Sequence, residues 1–500
     1  MKIEEMNRDE CTGCEACANV CPFNAIEMIR DAEGFACPKI DHELCAECGR
    51  CDAVCPVLNF EKTFPAKLPK AFVAINPDEK IQRHSSSGGV FSALAEIILR
   101  NGGVVFGAGF DEKFHVRHTC ARTLDELENL RGKKYVQSQI GDIYRQVADA
   151  LQSGGVLFSG TPCQCAGLKS FLGEEPENLL TVDLICHGVP SPAVWESYIG
   201  ELGYAHEVTH VNFASKKISR KIPYIEINFT DQSHYLNRLD LDAYGSVFLR
   251  GLSERPSCHA CKFKFPSVQS DLTLGDAAGI QYFAPEMFEE GGTSLVIVHS
   301  AKGKDFFEQA ALKSQEVDFI DAVLKNTRFI TSTVADTRRA DFFKEFAKYK
   351  RKLNLLQKYS EDDAASRQKV VEQSQRNLSE SYQAILEHYR QNSERNILVA
   401  TPPLEEEAQK FLAKYFDEGF PNCGLYYLQL ERTGQFLCHE KFTSLTFALK
   451  EDVNTLADFA EQFNITEIFA DNRVKYDSAI LVGWLNSCGL PVNVFSLSEI

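Results

Sequence analysis

The chain has no apolar run long enough to cross a bilayer. Its best candidate, "VFSALAEIILRNGGVVFGAGF", is broken by Glu96 and Arg100, so membrane insertion is not expected. The first residues, "MKIEEMNRDE", lack the apolar core of a secretory signal. Positive charge is also short. Lys and Arg total 53 against 70 Asp and Glu, a formal net charge of -17. Such a balance disfavours nucleic acid or an anionic membrane as main partner, because both attract basic faces. A local basic pocket for a phosphate-bearing cofactor stays open. From Lys304 to Thr401 there is neither glycine nor proline, so nothing there punctuates a helix.

Cysteine is abundant instead, with 18 in 500 residues. Without an export signal, metal binding explains them better than disulfides, and a reducing cytoplasm is the expected compartment. The first array is Cys11-x-x-Cys14-x-x-Cys17-x-x-x-Cys21-Pro22, and the second is Cys45-x-x-Cys48-x-x-Cys51-x-x-x-Cys55-Pro56. Three thiolates on one tight loop can each meet a different iron of a cubane, leaving one iron for a distant ligand. In the bacterial ferredoxin run the fourth cysteine serves the other cluster. On that rule one [4Fe-4S] cluster takes Cys11, Cys14, Cys17 and Cys55, and the other takes Cys45, Cys48, Cys51 and Cys21. Zinc knuckles and a disulfide scaffold are the alternatives, but zinc sites usually pair C-x-x-C units at long separations. The region resembles a two-[4Fe-4S] ferredoxin domain. Cys37 fits no ligand slot and reads as a buried free thiol.

After a linker, "FPAKLPK", strand-like and helix-like segments alternate. "AFVAI" is a strand. Ser85 to Gly89 form a small-residue loop opening a helix that Gly102 ends; such a loop is either a plain N-cap or an anion-binding turn. "GGVVFGAGF", "GGVLFSG" and "LLTVDLIC" are strands, "TLDELENLRG" a helix capped by Thr123, and Ser191 and Pro192 start another helix. The alternation predicts an α/β domain with a largely parallel sheet. Cys163 and Cys186 fall just past strand carboxyl ends, the edge where open α/β sheets bind ligands. With Cys258-x-x-Cys261 they make four thiolates, suited to zinc or a third iron–sulfur cluster. Two buried thiols and an incidental C-x-x-C remain the bland alternative.

The runs "SSSGGVFSALAEIIL", "LRGKKYVQS", "VLFSGTPCQCAGL", "VDLICHGVPSPAVW", "SCHACKF", "SDLTLGDAAGI" and "GTSLVIVHSAKG" resemble the family of the coenzyme F420-reducing hydrogenase beta subunit. The resemblance implies an iron–sulfur flavoenzyme holding FAD and a [4Fe-4S] cluster. It places the cluster ligands at Cys163, Cys186, Cys258 and Cys261. It places flavin contacts at Ser87, Gly88 and Gly89, at Lys134 and Tyr135 after Gly132, and at Ser159 and Gly160. It implies a soluble electron donor such as ferredoxin and a small organic acceptor, with coenzyme F420 a candidate. The alternative is an electron-transfer subunit with no substrate of its own. Where many members read "GDFWGI" this chain has Ala277 and Ala278, and where many read "FRDK" it has "FASKK". Both departures leave substrate identity open. Cys165, one step into the helix, reads as a packing residue, and His187 as a structural histidine.

The expected division is a ferredoxin-like α+β domain over 1–62, an α/β flavin and iron–sulfur domain over 68–335, a helical connector over 336–394 and a small α/β domain over 395–500. The connector reads as a solvated spacer or a dimer contact, the latter making the protein a homo-oligomer. In the last domain "NILVAT", "ITEIFADN" and "VNVFSL" are strands, "LEEEAQKFLAKYF" and "DSAILVGWLNSCG" helices, and Cys423, Cys438 and Cys488 buried thiols. No Gly-rich phosphate fingerprint is present there.

Overall fold

The computed structural model describes residues 2–391 apart from 67, 220, 221 and 362, and beyond them six strand segments. Near the start, β1 (Ile26–Arg30) and β2 (Ala36–Ile40) form an antiparallel hairpin between the short helices Ala16–Val20 and Arg50–Val54. A larger sheet takes β3 (Lys70–Ile75), β4 (Val104–Phe110), β5 (Val116–Ala121), β6 (Val156–Ser159) and β7 (Leu179–Leu184). After a separate three-stranded antiparallel sheet of β8 (Val208–Ser215), β9 (Tyr224–Phe229) and β10 (His234–Arg238), it adds β11 (Leu272–Asp276), β12 (Ser294–Val298) and β13 (Lys313–Val317).

The order of the large sheet is β13-β3-β12-β11-β7-β6-β4-β5. Its centre is parallel: β4 pairs β6, β6 pairs β7, and β7 pairs β11. The other four pairings are antiparallel, so the sheet is mixed rather than largely parallel. β12 explains the difference. Its "SLVIV" is buried at every position, as a central parallel strand would be, yet it runs against both neighbours. Composition reports burial, not direction. Because β12 reverses, β3 points the same way as β11, β7, β6 and β4.

Side chains alternate across the sheet. Val105, Leu157 and Leu180 face the helices Val90–Arg100 and Ala301–Gln309. Phe106, Val156, Phe158 and Leu179 face the helices Ile143–Leu151 and Pro162–Leu172. Ala16 and Val54, from the two cysteine-array helices, join that second layer. The segment "TLDELENL" forms only a 3-10 turn, Glu126–Leu130, with Thr123 Oγ1 accepting from the Glu126 N–H.

The helices Arg339–Phe346 and Lys352–Ser360 are not a solvated spacer. Phe342, Phe343, Phe346, Leu355, Leu356 and Tyr359 are buried in one core with Trp195, Phe213 and Tyr244. A helix, Ala364–Gln391, follows. Among the described residues no helix is long and apolar enough to cross a membrane.

The chain divides into two compact units, Met1–Ser379 and Glu380–Ile500. In the second, β14 (Arg395–Thr401), β15 (Cys423–Leu430), β16 (Phe436–Glu440), β17 (Thr443–Phe447), β18 (Glu467–Asp471) and β19 (Val492–Phe495) form a sheet ordered β17-β16-β15-β14-β18-β19. The three strands expected from sequence lie at β14, β18 and β19. The two expected helices, Cys488 and the burial of Cys423 and Cys438 fall outside the described residues.

Candidate iron–sulfur and cofactor site

Cys163 lies one step inside the helix Pro162–Leu172, just past β6. Thr161 caps that helix and Pro162 supplies its first residue. The Gln164 side chain returns to the Thr161 N–H at 3.0 Å, closing a capping box that fixes the turn. Thr161 Oγ1 lies 3.2 Å from Cys163 Sγ. Cys186 follows β7, and Cys258 and Cys261 are carried on and just after the 3-10 turn Pro256–Ala260. All four residues are half-buried.

The four thiols are near enough to feel one another. Burial, then the neighbouring Cys261, pushes the Cys163 thiol up to about 12. Burial pushes Cys186 up to about 12 as well, with Cys163 and Cys261 adding to it against the opposing charge of Lys264. Lys264 donates to the Cys186 carbonyl at 2.5 Å and to the Arg328 carbonyl at 2.5 Å. The Cys261 N–H donates to Ser332 Oγ at 2.9 Å, and Thr333 Oγ1 donates to the His187 carbonyl. Four thiols crowded away from water are costly as thiolates unless iron neutralises them. Arg255 and Lys264 bring positive charge to Cys163 and Cys186 respectively.

Cys11, Cys14 and Cys17 of the first array group with Cys55 of the second. Burial and then the charges of Cys11 and Cys55 push Cys14 up to about 12. Cys17 is raised by burial and by Cys14, Cys11 and Cys55. Cys21, Cys45, Cys48 and Cys51 line one surface cavity of about 140 Å³, and Cys48 is exposed. Both groupings follow the crossed ligand rule. Among the described residues no three His, Cys, Asp or Glu close to the spacing of a single metal ion.

The first array is pressed onto the third set. Cys11, Cys55 and Cys37 share an apolar cluster with Ala166 and Phe263, and Cys163 and Cys261 pack against it. Gly167, in the Cys163 helix, faces Cys14: an added Cβ would lie 2.9 Å from Cys14 Cβ and 3.2 Å from its Sγ. Buried Glu15 accepts from the Ile140 N–H at 3.0 Å and the Gly141 N–H at 2.9 Å. Arg145 donates to the carbonyls of Ala18, Asn19 and Cys21. These docking contacts were not found from sequence, and neither was Arg255. Its one signal is its place three residues before Cys258.

Of the predicted flavin residues, Ser87, Gly88, Gly89, Ser159 and Gly160 lie at the same carboxyl edge. The loop Ser85–Gly89 follows β3 and the helix Glu79–His84. Ser87 Oγ donates to the Thr293 carbonyl at 3.0 Å, and the Gly88 N–H donates to Ser294 Oγ at 3.0 Å. Gly88 must be glycine here, since a Cβ would meet the Ala74 carbonyl oxygen at 2.4 Å. Gly89, at φ +84°, starts the helix Val90–Arg100, which has no side-chain cap. Its N–H groups therefore suit a phosphate-bearing cofactor. Ser159 ends β6, its carbonyl accepting from buried His118, and the Gly160 N–H is bonded to the Val182 carbonyl. Lys134 donates to the carbonyls of Asn129 at 2.8 Å and Arg131 at 2.6 Å. Tyr135 packs on Phe213 and Phe248. The lysine that reaches the edge is Lys133, 2.5 Å from Asp276 at the end of β11.

Comparison with known proteins gives the family. Residues 71–144 and 154–322 match the N- and C-terminal models of the coenzyme F420 hydrogenase/dehydrogenase beta subunit, and residues 10–59 match a 4Fe-4S dicluster domain. An F(420)H(2) dehydrogenase subunit of Methanosarcina mazei is 23% identical over 321 residues, 61% of this chain and 83% of that protein. An uncharacterized polyferredoxin-like protein of Methanocaldococcus jannaschii is 33% identical over 93 residues, 16% of this chain and 53% of its own. A chain in a structure of the F420-reducing [NiFe] hydrogenase complex from Methanosarcina barkeri aligns with a TM-score of 0.37 and 18% identity, covering 60% of this chain and 94% of that one. The chain belongs to the family of the coenzyme F420 hydrogenase/dehydrogenase beta subunit, a family of iron–sulfur oxidoreductases, and carries a 4Fe-4S dicluster domain at its N-terminus.

Proposed function

We propose that the protein is an iron–sulfur flavoprotein oxidoreductase. It passes electrons from a ferredoxin-type donor through three [4Fe-4S] clusters to FAD and on to a two-electron organic acceptor, with the deazaflavin coenzyme F420 the first candidate. When bound, the clusters move single electrons and the flavin converts them to pairs. The observation that carries the reading is the succession of cysteine sets. Cys21, Cys45, Cys48 and Cys51 line a surface cavity at which Cys48 is exposed. Cys11, Cys14, Cys17 and Cys55 lie inside, against the helix that starts at Cys163. Cys163, Cys186, Cys258 and Cys261 lie at the carboxyl edge that also holds Ser87, Gly88 and Gly89.

In this reading residues 1–62 receive electrons and residues 68–335 hold the third cluster and the flavin. The uncapped helix start at Gly89 supports a flavin phosphate. The ion pair of Lys133 and Asp276 lies at the end of β11, on the same edge. The likeness to the Methanosarcina mazei F(420)H(2) dehydrogenase subunit supports F420 as acceptor, and that protein's being a subunit supports a second reading, delivery of electrons to a partner enzyme. Anaerobic purification with iron and flavin quantitation, followed by F420 turnover with a reduced dye, tests the proposal. Bound FAD and turnover by the single chain support it. Absence of flavin at full iron loading overturns the flavoprotein reading, and electron acceptance without turnover favours the subunit.

A further inference from the structure

Arg255 is only 1% exposed, yet among the described residues no carboxylate forms an ion pair with it. A cation buried that way is costly unless acceptors and counter-charge surround it. Its acceptors come from both sides of one boundary. Nε donates to the Cys11 carbonyl at 2.5 Å, and Nη2 to the Ala36 carbonyl at 3.0 Å and Cys37 Sγ at 3.3 Å. Nη1 donates to Gln137 Oε1 at 3.0 Å, while Gln137 Nε2 donates to the Thr12 carbonyl at 3.0 Å. The Arg255 carbonyl accepts from the Cys258 N–H at 2.9 Å. The titratable groups that reach the guanidinium are the sulfurs of Cys11, Cys37 and Cys258, then Asp31. Gly13 completes the fit: at φ +65° its Cβ position would lie 2.6 Å from Arg255 Nη1 and 2.8 Å from Gln137 Nε2.

We propose that Arg255 is a positioning residue between two cysteine sets, holding the Cys11–Cys14 loop against the Cys258 turn and supplying the positive charge that sets the reduction potentials of the groups bound on either side. The proposal rests on the iron–sulfur reading of those cysteines. Cluster potentials respond to net charge and to hydrogen bonds around the sulfurs, and Arg255 contributes both. A docking arginine without this role would change stability and leave the potentials alone.

The test is an EPR-monitored redox titration of the full-length chain, wild type against Arg255→Gln and Arg255→Lys, with iron counted in each. The expected result is a shift to more negative potential in Arg255→Gln for the Cys11-containing set and the third set, a smaller shift in Arg255→Lys, and none for the Cys21, Cys45, Cys48 and Cys51 set. Unchanged potentials in both variants, or equal shifts in both, overturn the proposal. If Arg255→Gln fails to retain iron, Arg255→Lys decides: iron retained supports the role of charge, and iron lost overturns it. A wild-type chain lacking iron in these sets would instead overturn the reading beneath it.

Discussion

Gly167→Ala sets two physical effects of opposite sign against each other. Gly167 lies inside the helix Pro162–Leu172, where alanine is better than glycine by about 1 kcal/mol. If that helix face were open, the variant would be more stable by that amount. In the structure the added Cβ would lie 2.9 Å from Cys14 Cβ, 2.9 Å from Tyr144 Oη and 3.2 Å from Cys14 Sγ. Tyr144 cannot yield, since it is buried and its hydroxyl donates to the Gln164 carbonyl at 2.8 Å. Overpacking of this kind costs about 1–3 kcal/mol, so the net change is a loss of about 0–2 kcal/mol. The readout is the rate of iron release to a chelator at fixed temperature. A loss of about 1–2 kcal/mol raises opening by a factor of roughly 5–30. Slower release than wild type, with a gain near the full helix-propensity value, would refute the apposition of the Cys14 loop on the Cys163 helix.

Other expectations follow from the same geometry. Cys163→Ser should lower bound iron by about one cluster's four atoms, whereas Cys165→Ala should keep it, since Cys165 is wholly buried packing; iron assay decides both. Burial lowers His118 from 6.5 to about 4, so the unfolded chain takes up its proton first. That contribution is full above pH 6.5 and declines as pH falls toward 4, so wild type should lose about 1 kcal/mol between pH 7 and 5.5 that His118→Gln does not, read as iron-release rates at the two pH values. Leu44 and Phe23 are exposed near the surface cysteine set. Leu44→Glu should slow reduction by a ferredoxin-type donor several-fold while leaving reduction by dithionite unchanged, as measured by stopped-flow absorbance.

The cysteine arrays were legible because local spacing alone defines a three-thiolate loop, and the strand ends were enough to place Cys163 and Cys186 at the carboxyl edge of the sheet. The antiparallel course of β12 was not legible, because "SLVIV" reports burial on both faces and nothing about direction. The core role of Phe342, Phe343, Phe346, Leu355, Leu356 and Tyr359 was hidden by the charged residues around them. Read by charge density, that stretch is a spacer; read by helical faces, it carries an apolar stripe. Arg255 and Glu15 escaped for another reason. Each is a charged residue whose partners lie more than a hundred positions away, Cys11 for one and Ile140 for the other, so only the fold reveals why either is buried. Lys134, assigned by resemblance, turns to the Asn129 and Arg131 carbonyls, and its neighbour Lys133 reaches Asp276.

The central claim is that Cys163, Cys186, Cys258 and Cys261 hold a third cluster beside a flavin. Iron and FAD quantitation on the anaerobically purified chain, wild type and Cys163→Ser side by side, tests it most directly. The account predicts about twelve irons and one FAD per wild-type chain and about eight irons in the variant. About eight irons in both proteins, or twelve irons without FAD, would contradict it.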